Sequence, residues 1–321
     1  GQDTILDAGQ GFSCLRLRSE PGSQYLVVPH TTGTVGGGVY DAGFVGLTAD
    51  DSQPLRQGPP SATPGEEDLG DDSPMFGGDP QWAWDRRLRE LEGAALRESG
   101  VSGVPPAAVS GSPTLPAPAR LPQLGESREF NVLNPENDFE KVTATVRHIT
   151  DHALIYMDVE APSGGFAPLD LVGLATEFET AIHPTVTAAF GAESDLDQNE
   201  RVIILFTPAV NRLTPEGSDG YVGGFFFGID LLADRTGSNE GEIFYAVVPD
   251  PTGTFGPLLA RSTLLYSLPA ILAHEFEHMV HFNQRTLVVG AEGQEALWLS
   301  DALAQMAVDL VGRHFQEVGD P

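Results

Sequence analysis

The residues with the clearest chemical potential are two histidines and a glutamate in the C-terminal part of the chain. The segment reads His274-Glu275-Phe276-Glu277-His278. Four residues make about 1.1 helical turns, so on a helix His274 and His278 lie above each other on one face. Their imidazole nitrogens can meet one Zn²⁺ ion at about 2.0–2.1 Å, and Glu275 can reach a water on that ion. The spacing predicts zinc-dependent hydrolysis, with Glu275 moving a proton from water to a leaving amine.

The third protein ligand has to come from elsewhere in the chain. Asp301 lies in an apolar segment, where a lone carboxylate is costly to bury unless it is paired or binds a metal. Asp301 is therefore the predicted third ligand, and its alternatives are a capping role or a hydrogen bond to a ligand histidine. Glu292, Glu295 and Asp309 are the other downstream candidates, of which the first two are expected to be solvated. For the whole motif, the alternative is a pair of surface histidines on an amphipathic helix.

A second candidate metal site lies upstream. Asp195, Asp197 and Asn199 place three oxygen donors at alternate positions, as calcium-binding loops do. The positions that an EF-hand fills with Gly and Glu hold Glu200 and Phe206, so the loop is not an EF-hand. Two interpretations stay open: a calcium (Ca²⁺) loop of another type, and a solvated acidic turn.

These side chains need a folded frame, and the hydrophobic pattern predicts an α+β unit from residue 128 onward. Four strands and one helix are expected at 140–149, 153–159, 202–206, 243–248 and 169–190. The helix that carries the histidines is expected to begin near Leu268, because Pro269 is tolerated in a first helical turn. An apolar second helix then carries Asp301.

The N-terminal part has a different character. Residues 1–50 contain short β-type segments between Gly, Pro and Ser turns, which predicts a small β-sandwich-like module. Residues 51–127 form a Pro/Gly-rich linker with a helix at about 80–99. The predicted catalytic unit covers residues 128–321 and is expected to be truncated at its C-terminus. A further interpretation makes residues 1–125 an inhibitory propeptide.

Composition narrows the function classes. The chain of 321 residues has 46 acidic and 17 basic residues, a net charge of −29. Such a chain repels phosphate backbones, so nucleic acids and anionic membranes are disfavoured as partners, and an extracellular or salt-adapted protein is favoured. The single cysteine, Cys14, forms no intrachain disulfide and no Cys-based zinc site. No apolar stretch has the length of a transmembrane helix.

Several segments resemble the hyicolysin family of secreted bacterial zinc peptidases. The likeness covers roughly residues 128–312, and it is carried by His274-Glu275-Phe276-Glu277-His278-Met279-Val280-His281-Phe282-Asn283-Gln284 and by Trp298-Leu299-Ser300-Asp301-Ala302-Leu303. The resemblance implies a zincin-like fold, in which a twisted mixed sheet supports the active-site helix. It implies zinc held by His274 and His278, Glu275 as general base, and protein or peptide substrates.

The sequence departs from that family at one position of the second helix. The family has Glu-Gly where this chain has Asp301-Ala302, and Asp is one methylene shorter. This departure favours an alternative function, a catalytically inactive metallopeptidase-like domain that serves in surface binding or adhesion. The family also continues past this helix into a helical subdomain, which would be missing here.

Overall fold

The computed structural model describes residues 79–99, 120–291 and 293–318. The chain divides into two compact units, residues 1–67 and 68–321, and the described residues all belong to the second. The β-sandwich-like module predicted at residues 1–50 therefore lies outside the described residues. Among the helices of the described ranges, none is both long and apolar enough to cross a bilayer.

A six-stranded mixed sheet forms the centre of the second unit. Its strands are β1 (Ser127–Leu133), β2 (Phe139–Ile149), β3 (Ala153–Asp158), β4 (Val202–Phe206), β5 (Gly224–Phe226) and β6 (Ile243–Ala246). Their order across the sheet is β1-β2-β3-β4-β6-β5. The β3–β4 and β4–β6 pairs are parallel, and the other three pairs are antiparallel. Strands β1 and β5 are therefore the two edges.

Helices and helical turns cover this sheet. The helices are α1 (Pro80–Ser99), α2 (Pro168–Glu177), α3 (His183–Phe190), α4 (Pro208–Asn211), α5 (Arg261–Phe282) and α6 (Leu297–Val318). A π-helical segment, Phe178–Ile182, joins α2 to α3, and another, Asn283–Val288, extends α5. Helix α5 packs against β5, β6, α3 and α6. It is the central helix of the described unit.

The buried strands explain why the sheet forms at this place in the chain. Every residue of β3 and β4 is buried, which matches their continuous apolar sequences. In β2 the buried residues alternate with exposed or half-buried ones, with Val142, Ala144 and Val146 facing the core. This alternation is typical of a strand with one solvated face.

The predicted start of the histidine-bearing helix is wrong. Helix α5 begins at Arg261, about two turns before Leu268, so Pro269 lies inside the helix. An interior proline costs roughly 3 kcal/mol, which is why a start near Leu268 is the simpler expectation. Burial of Leu264, Leu268 and Leu272 outweighs that cost, because each fully buried leucine contributes about 1.5–3 kcal/mol.

Candidate active site

Helices α5 and α6 bring the three predicted zinc ligands together. His274 Nε2 lies 3.1 Å from His278 Nε2 and 3.4 Å from Asp301 Oδ1. The three ligand atoms all lie within 4.8 Å of one another. Tetrahedral zinc with ligands at 2.0–2.1 Å keeps neighbouring ligand atoms about 3.3 Å apart. The observed separations fit such a site, and the shorter Asp side chain does reach the histidines.

His278 is fixed by a residue of the second helix. Its Nδ1 lies 3.3 Å from Ser300 Oγ, and the ring is buried. When Nε2 faces a metal, Nδ1 carries the hydrogen atom and donates a hydrogen bond to the Ser300 hydroxyl. This bond fixes the orientation of the ring. Burial and the charge of His274 lower the pKa of His278 well below its ordinary value. His278 is thus neutral, as a metal ligand must be.

His274 lies among carboxylates. Burial alone would lower the pKa of His274, but a hydrogen bond to Asp301 and the charges of Glu275 and Asp85 outweigh it and raise that pKa to about 9. The surroundings of His274 therefore favour positive charge. A metal cation bound here would experience the same attraction.

Glu275 is held by the edge of the sheet. Its Oε2 accepts a hydrogen bond of 2.9 Å from the Phe226 N–H of β5, and the residue is buried. Burial raises the pKa of Glu275 above its ordinary value. A raised carboxyl pKa suits a group that must take up a proton and release it again near neutral pH.

Three residues of α1, Gln81, Asp85 and Arg89, lie beside this site and were not predicted from the sequence. Asp85 is buried; burial and the charge of Glu275 raise its pKa to about 8. Gln81 Nε2 donates to both Asp85 oxygens, at 3.0 and 3.2 Å. Arg89 donates to the Phe226 carbonyl at 3.0 Å. The available signal was an aspartate next to Trp84 on the apolar face of a predicted helix.

The remaining downstream carboxylates take other roles. Glu295 forms an ion pair with Arg285, and Asp309 pairs with Arg313 one turn along α6 at 2.8 Å. Neither belongs to the His274, His278 and Asp301 group. Glu292 lies outside the described residues.

Glu277 is a further buried carboxylate on α5. Neither of its oxygens has a hydrogen-bond partner among the described residues, and burial raises its pKa to about 8. The Glu277 oxygens lie 3.9 Å from His278 Nδ1 and 4.0 Å from His281 Nδ1. Glu277 and His281 are therefore not members of the ligand group; they lie beside it.

The predicted calcium residues gain an unexpected neighbour. Asp195 and Asp197 lie close to Glu242, with one carboxylate oxygen from each residue within 4.8 Å of the others. Asn199 is beside them, its Nδ2 at 2.5 Å from Asp197 Oδ2. Glu242 directly precedes β6, so its approach depends on the pairing of β6 with β4.

Comparison with known proteins gives one informative relative. Neutral metalloprotease ShpI of Staphylococcus hyicus is 30% identical to this chain over 183 residues, which are 57% of the chain. That match covers 39% of the length of the relative. No protein-family model matches the chain. The similarity supports a relationship to metalloproteases, and the mixed sheet with its helices is compatible with a metallopeptidase domain.

Proposed function

We propose that this chain carries a zinc-dependent endopeptidase domain of the hyicolysin-like type. The observation that carries the proposal is the placement of two imidazole nitrogens and one carboxylate oxygen at 3.1 and 3.4 Å, with Glu275 beside them. Three protein ligands of this kind are typical of catalytic zinc, which keeps a further position open. The similarity to a metalloprotease supports the same assignment.

Each residue of the site has its own chemical role in this proposal. His274, His278 and Asp301 would hold Zn²⁺. Zinc supplies Lewis acidity, which polarises a carbonyl oxygen and makes water more acidic. Glu275 takes a proton from the attacking water and delivers it to the amine that leaves when the peptide bond breaks. Its hydrogen bond from the Phe226 N–H keeps the carboxylate oriented for both transfers.

The proposed substrates are proteins or peptides, and the proposed location is outside a bacterial cell. The name of the relative, a neutral metalloprotease, supports the substrate class. The net charge of −29 supports an extracellular setting, because an acidic surface keeps a protein soluble and away from anionic polymers.

A cleavage assay tests this proposal. The chain is purified with zinc, and hydrolysis of casein is followed with and without a zinc chelator, beside the Glu275→Gln variant. Chelator-sensitive cleavage that Glu275→Gln abolishes is the expected result. Bound zinc without cleavage by the wild type would support the alternative, an inactive metallopeptidase-like domain in surface binding or adhesion, which Asp301-Ala302 favours.

A further inference from the structure

We propose that a calcium ion binds between the loop that precedes β4 and the start of β6. Four side chains meet there: Asp195, Asp197, Asn199 and Glu242. Apart from the Asn199 amide nitrogen, which donates to Asp197, these groups offer only oxygen atoms. Ca²⁺ takes six to eight oxygen ligands in flexible geometry, whereas zinc prefers nitrogen and sulfur donors.

Two buried oxygen atoms at this place have no hydrogen-bond partner among the described residues. They are Glu242 Oε2 and Asn199 Oδ1, in residues that are 2% and 8% exposed. The other Glu242 oxygen accepts hydrogen bonds from Ser194 Oγ at 2.6 Å and from the Leu196 N–H at 2.8 Å. Glu242 is thus fixed against the loop, and its free oxygen lacks the partner that a buried carboxylate requires.

The local charges point to the same conclusion. Burial raises the pKa of Asp197, and the charge of Asp195 raises it further. Burial also raises the pKa of Glu242, and the charge of Asp197 adds to the effect. Hydrogen bonds within the loop and the charge of Arg128 offset only part of this. A divalent cation between the carboxylates would stabilise all three in their charged forms.

The position of the cluster indicates a structural role for this ion. The Ile203 N–H of β4 donates to the Glu242 carbonyl at 2.7 Å, so both sides of the cluster are attached to neighbouring parallel strands. In the same loop, the Ala192 carbonyl accepts hydrogen bonds from Asn283 and Gln284, which follow α5 directly. Calcium would therefore fix the loop that holds the C-terminal end of the histidine-bearing helix.

Thermal unfolding and terbium luminescence test the calcium site on the zinc-loaded chain. Tb³⁺ replaces Ca²⁺ in oxygen sites, and its luminescence is excited through the tyrosine and tryptophan side chains of the chain. Wild type is compared with Glu242→Gln, with Asp195→Asn at an exposed position, and with the control Glu200→Gln in the same loop. Calcium at about 100 times its dissociation constant is expected to raise Tm by roughly 5 °C or more.

The outcomes separate this site from the zinc centre. The expected result is a calcium-dependent shift and a Tb³⁺ signal in wild type and Glu200→Gln, both lost in Glu242→Gln and Asp195→Asn at unchanged zinc content. Absence of the shift in wild type, an equal shift with Mg²⁺, or a shift kept by both cluster variants would overturn the proposal.

A second, independent observation concerns α1, and we infer that this helix covers the substrate-binding edge of the proposed peptidase. Strand β5 is a sheet edge beside Glu275. Gln81 Oε1 accepts from the Gly223 N–H, and Gln81 Nε2 donates to the Gly224 carbonyl, both at 2.9 Å. Arg89 donates to the Phe226 carbonyl at 3.0 Å. Side chains of α1 thus occupy backbone groups that an added strand would use.

The helix is anchored at both ends of the site. Near β5, Trp84 packs edge-on against Phe225 with ring centroids 5.7 Å apart, and Leu88 is buried in the core. Farther along, Glu92 accepts hydrogen bonds of 2.6 Å from the Gly228 N–H and from Gln294 Nε2, in the loop before α6. Between these anchors lies Asp85, whose charge acts on His274.

This arrangement implies that α1 and an extended peptide paired with β5 exclude each other. The inference rests on the proposed peptidase function, because only a substrate that reaches Glu275 competes with α1. Binding then requires the population in which α1 has moved away, and weakening its contacts enlarges that population.

The double variant Gln81→Ala with Arg89→Ala tests the cover, with the exposed Glu90→Gln on the same helix as control. Hydrogen exchange of residues 223–228 and kcat/KM on a fluorogenic peptide are measured at equal zinc content. Faster exchange and a rise in kcat/KM of about fivefold or more are expected in the double variant alone. Unchanged exchange, or faster exchange with lower kcat/KM, would overturn the inference that α1 covers β5. Faster exchange with no cleavage by any variant would instead overturn the proposed function.

Discussion

Two clusters of candidate metal ligands can be compared directly, one between α5 and α6 and one at the start of β4 and β6. The first combines a single carboxylate, Asp301, with the imidazoles of His274 and His278. The second has three carboxylates, including Asp197 and Glu242, and no histidine. Nitrogen donors with one carboxylate favour zinc, and oxygen donors alone favour calcium. In our proposal, the first cluster therefore carries out the chemistry and the second stabilises the fold.

Another buried carboxylate, Asp230, has hydrogen-bond donors for both of its oxygens. Asp230 accepts hydrogen bonds from Tyr245 at 2.6 Å and from both the backbone and the side chain of Asn239, at 2.7 and 3.0 Å. Both of its oxygens therefore have protein donors, unlike the free oxygen of Glu242. These hydrogen bonds compensate for the burial of the Asp230 carboxylate, so this site requires no cation.

The largest expected effect is on peptide cleavage, and it comes from Glu275, the proposed general base beside the first cluster. Glu275→Gln keeps the size of the side chain but removes the proton acceptor. Since general-base catalysis contributes about 10²–10⁴-fold, peptide cleavage should fall by at least about 100-fold while zinc content stays at the wild-type level. Cleavage rates and zinc content on the same preparation check this, and wild-type activity in the variant would exclude Glu275 as the base.

Asp301 comes next, because its role distinguishes a zinc ligand from a residue that only hydrogen-bonds His274. Losing a hydrogen-bonding partner of a ligand costs about 10–100-fold in metal affinity. As a direct ligand, Asp301→Ala should lower zinc affinity by more than about 100-fold, and Asp301→Asn should restore little of it. Competition with a zinc chelator measures both values; a loss of only about 10–100-fold in Asp301→Ala would assign Asp301 to the hydrogen-bonding role.

Ser300 should show the smaller effect of an orienting group. Ser300→Ala removes the partner of His278 Nδ1. Zinc affinity is expected to drop by about tenfold, with the fold and the Glu275 chemistry kept. Replacement by Thr, which retains the hydroxyl, serves as the matched control in the same titration. Equal losses in both variants would indicate a packing effect instead.

A separate effect, on stability alone, concerns the buried carboxylate of Asp230 and depends on pH. Burial raises the pKa of Asp230 from 3.8 to about 7, even with Tyr245, Asn239 and the charge of Arg128 around it. Because the folded pKa lies above the unfolded one, the folded state binds the proton more tightly. The contribution of Asp230 to stability is complete below about pH 4 and is lost as the pH rises through about 7.

Asp230→Asn removes this titration. The stability difference between wild type and variant should therefore change in favour of the variant between about pH 4 and pH 7. Urea unfolding at several pH values measures the difference. A difference that is constant with pH would contradict a raised pKa at Asp230.

The sequence supports the two clusters to different degrees. His274 and His278 are about one helical turn apart and Glu275 follows His274 directly, so local geometry alone predicts that the three lie together. Asp301 stands out as a carboxylate in an apolar helix. Glu242 could not be assigned, because it reaches the calcium residues only through the parallel pairing of β4 with β6. Long-range strand pairing leaves no local pattern in the sequence.

Three other features could not be predicted from the sequence. Helix α1 is expected from its Pro80 start, but its contacts with β5 depend on the tertiary fold. Strand β5 itself, Gly224–Phe226, is too short to show a period of two residues. The interior position of Pro269 was missed because burial of three leucines outweighs the usual cost of proline in a helix.

Zinc stoichiometry is the most direct test of the central claim, that His274, His278 and Asp301 form the metal centre. The purified chain is dialysed against zinc-free buffer that contains calcium, and zinc per chain is measured for wild type and for the double variant His274→Ala with His278→Ala. The account predicts one zinc per wild-type chain and none in the folded double variant. A wild type without zinc, or a double variant that keeps it, would contradict the account.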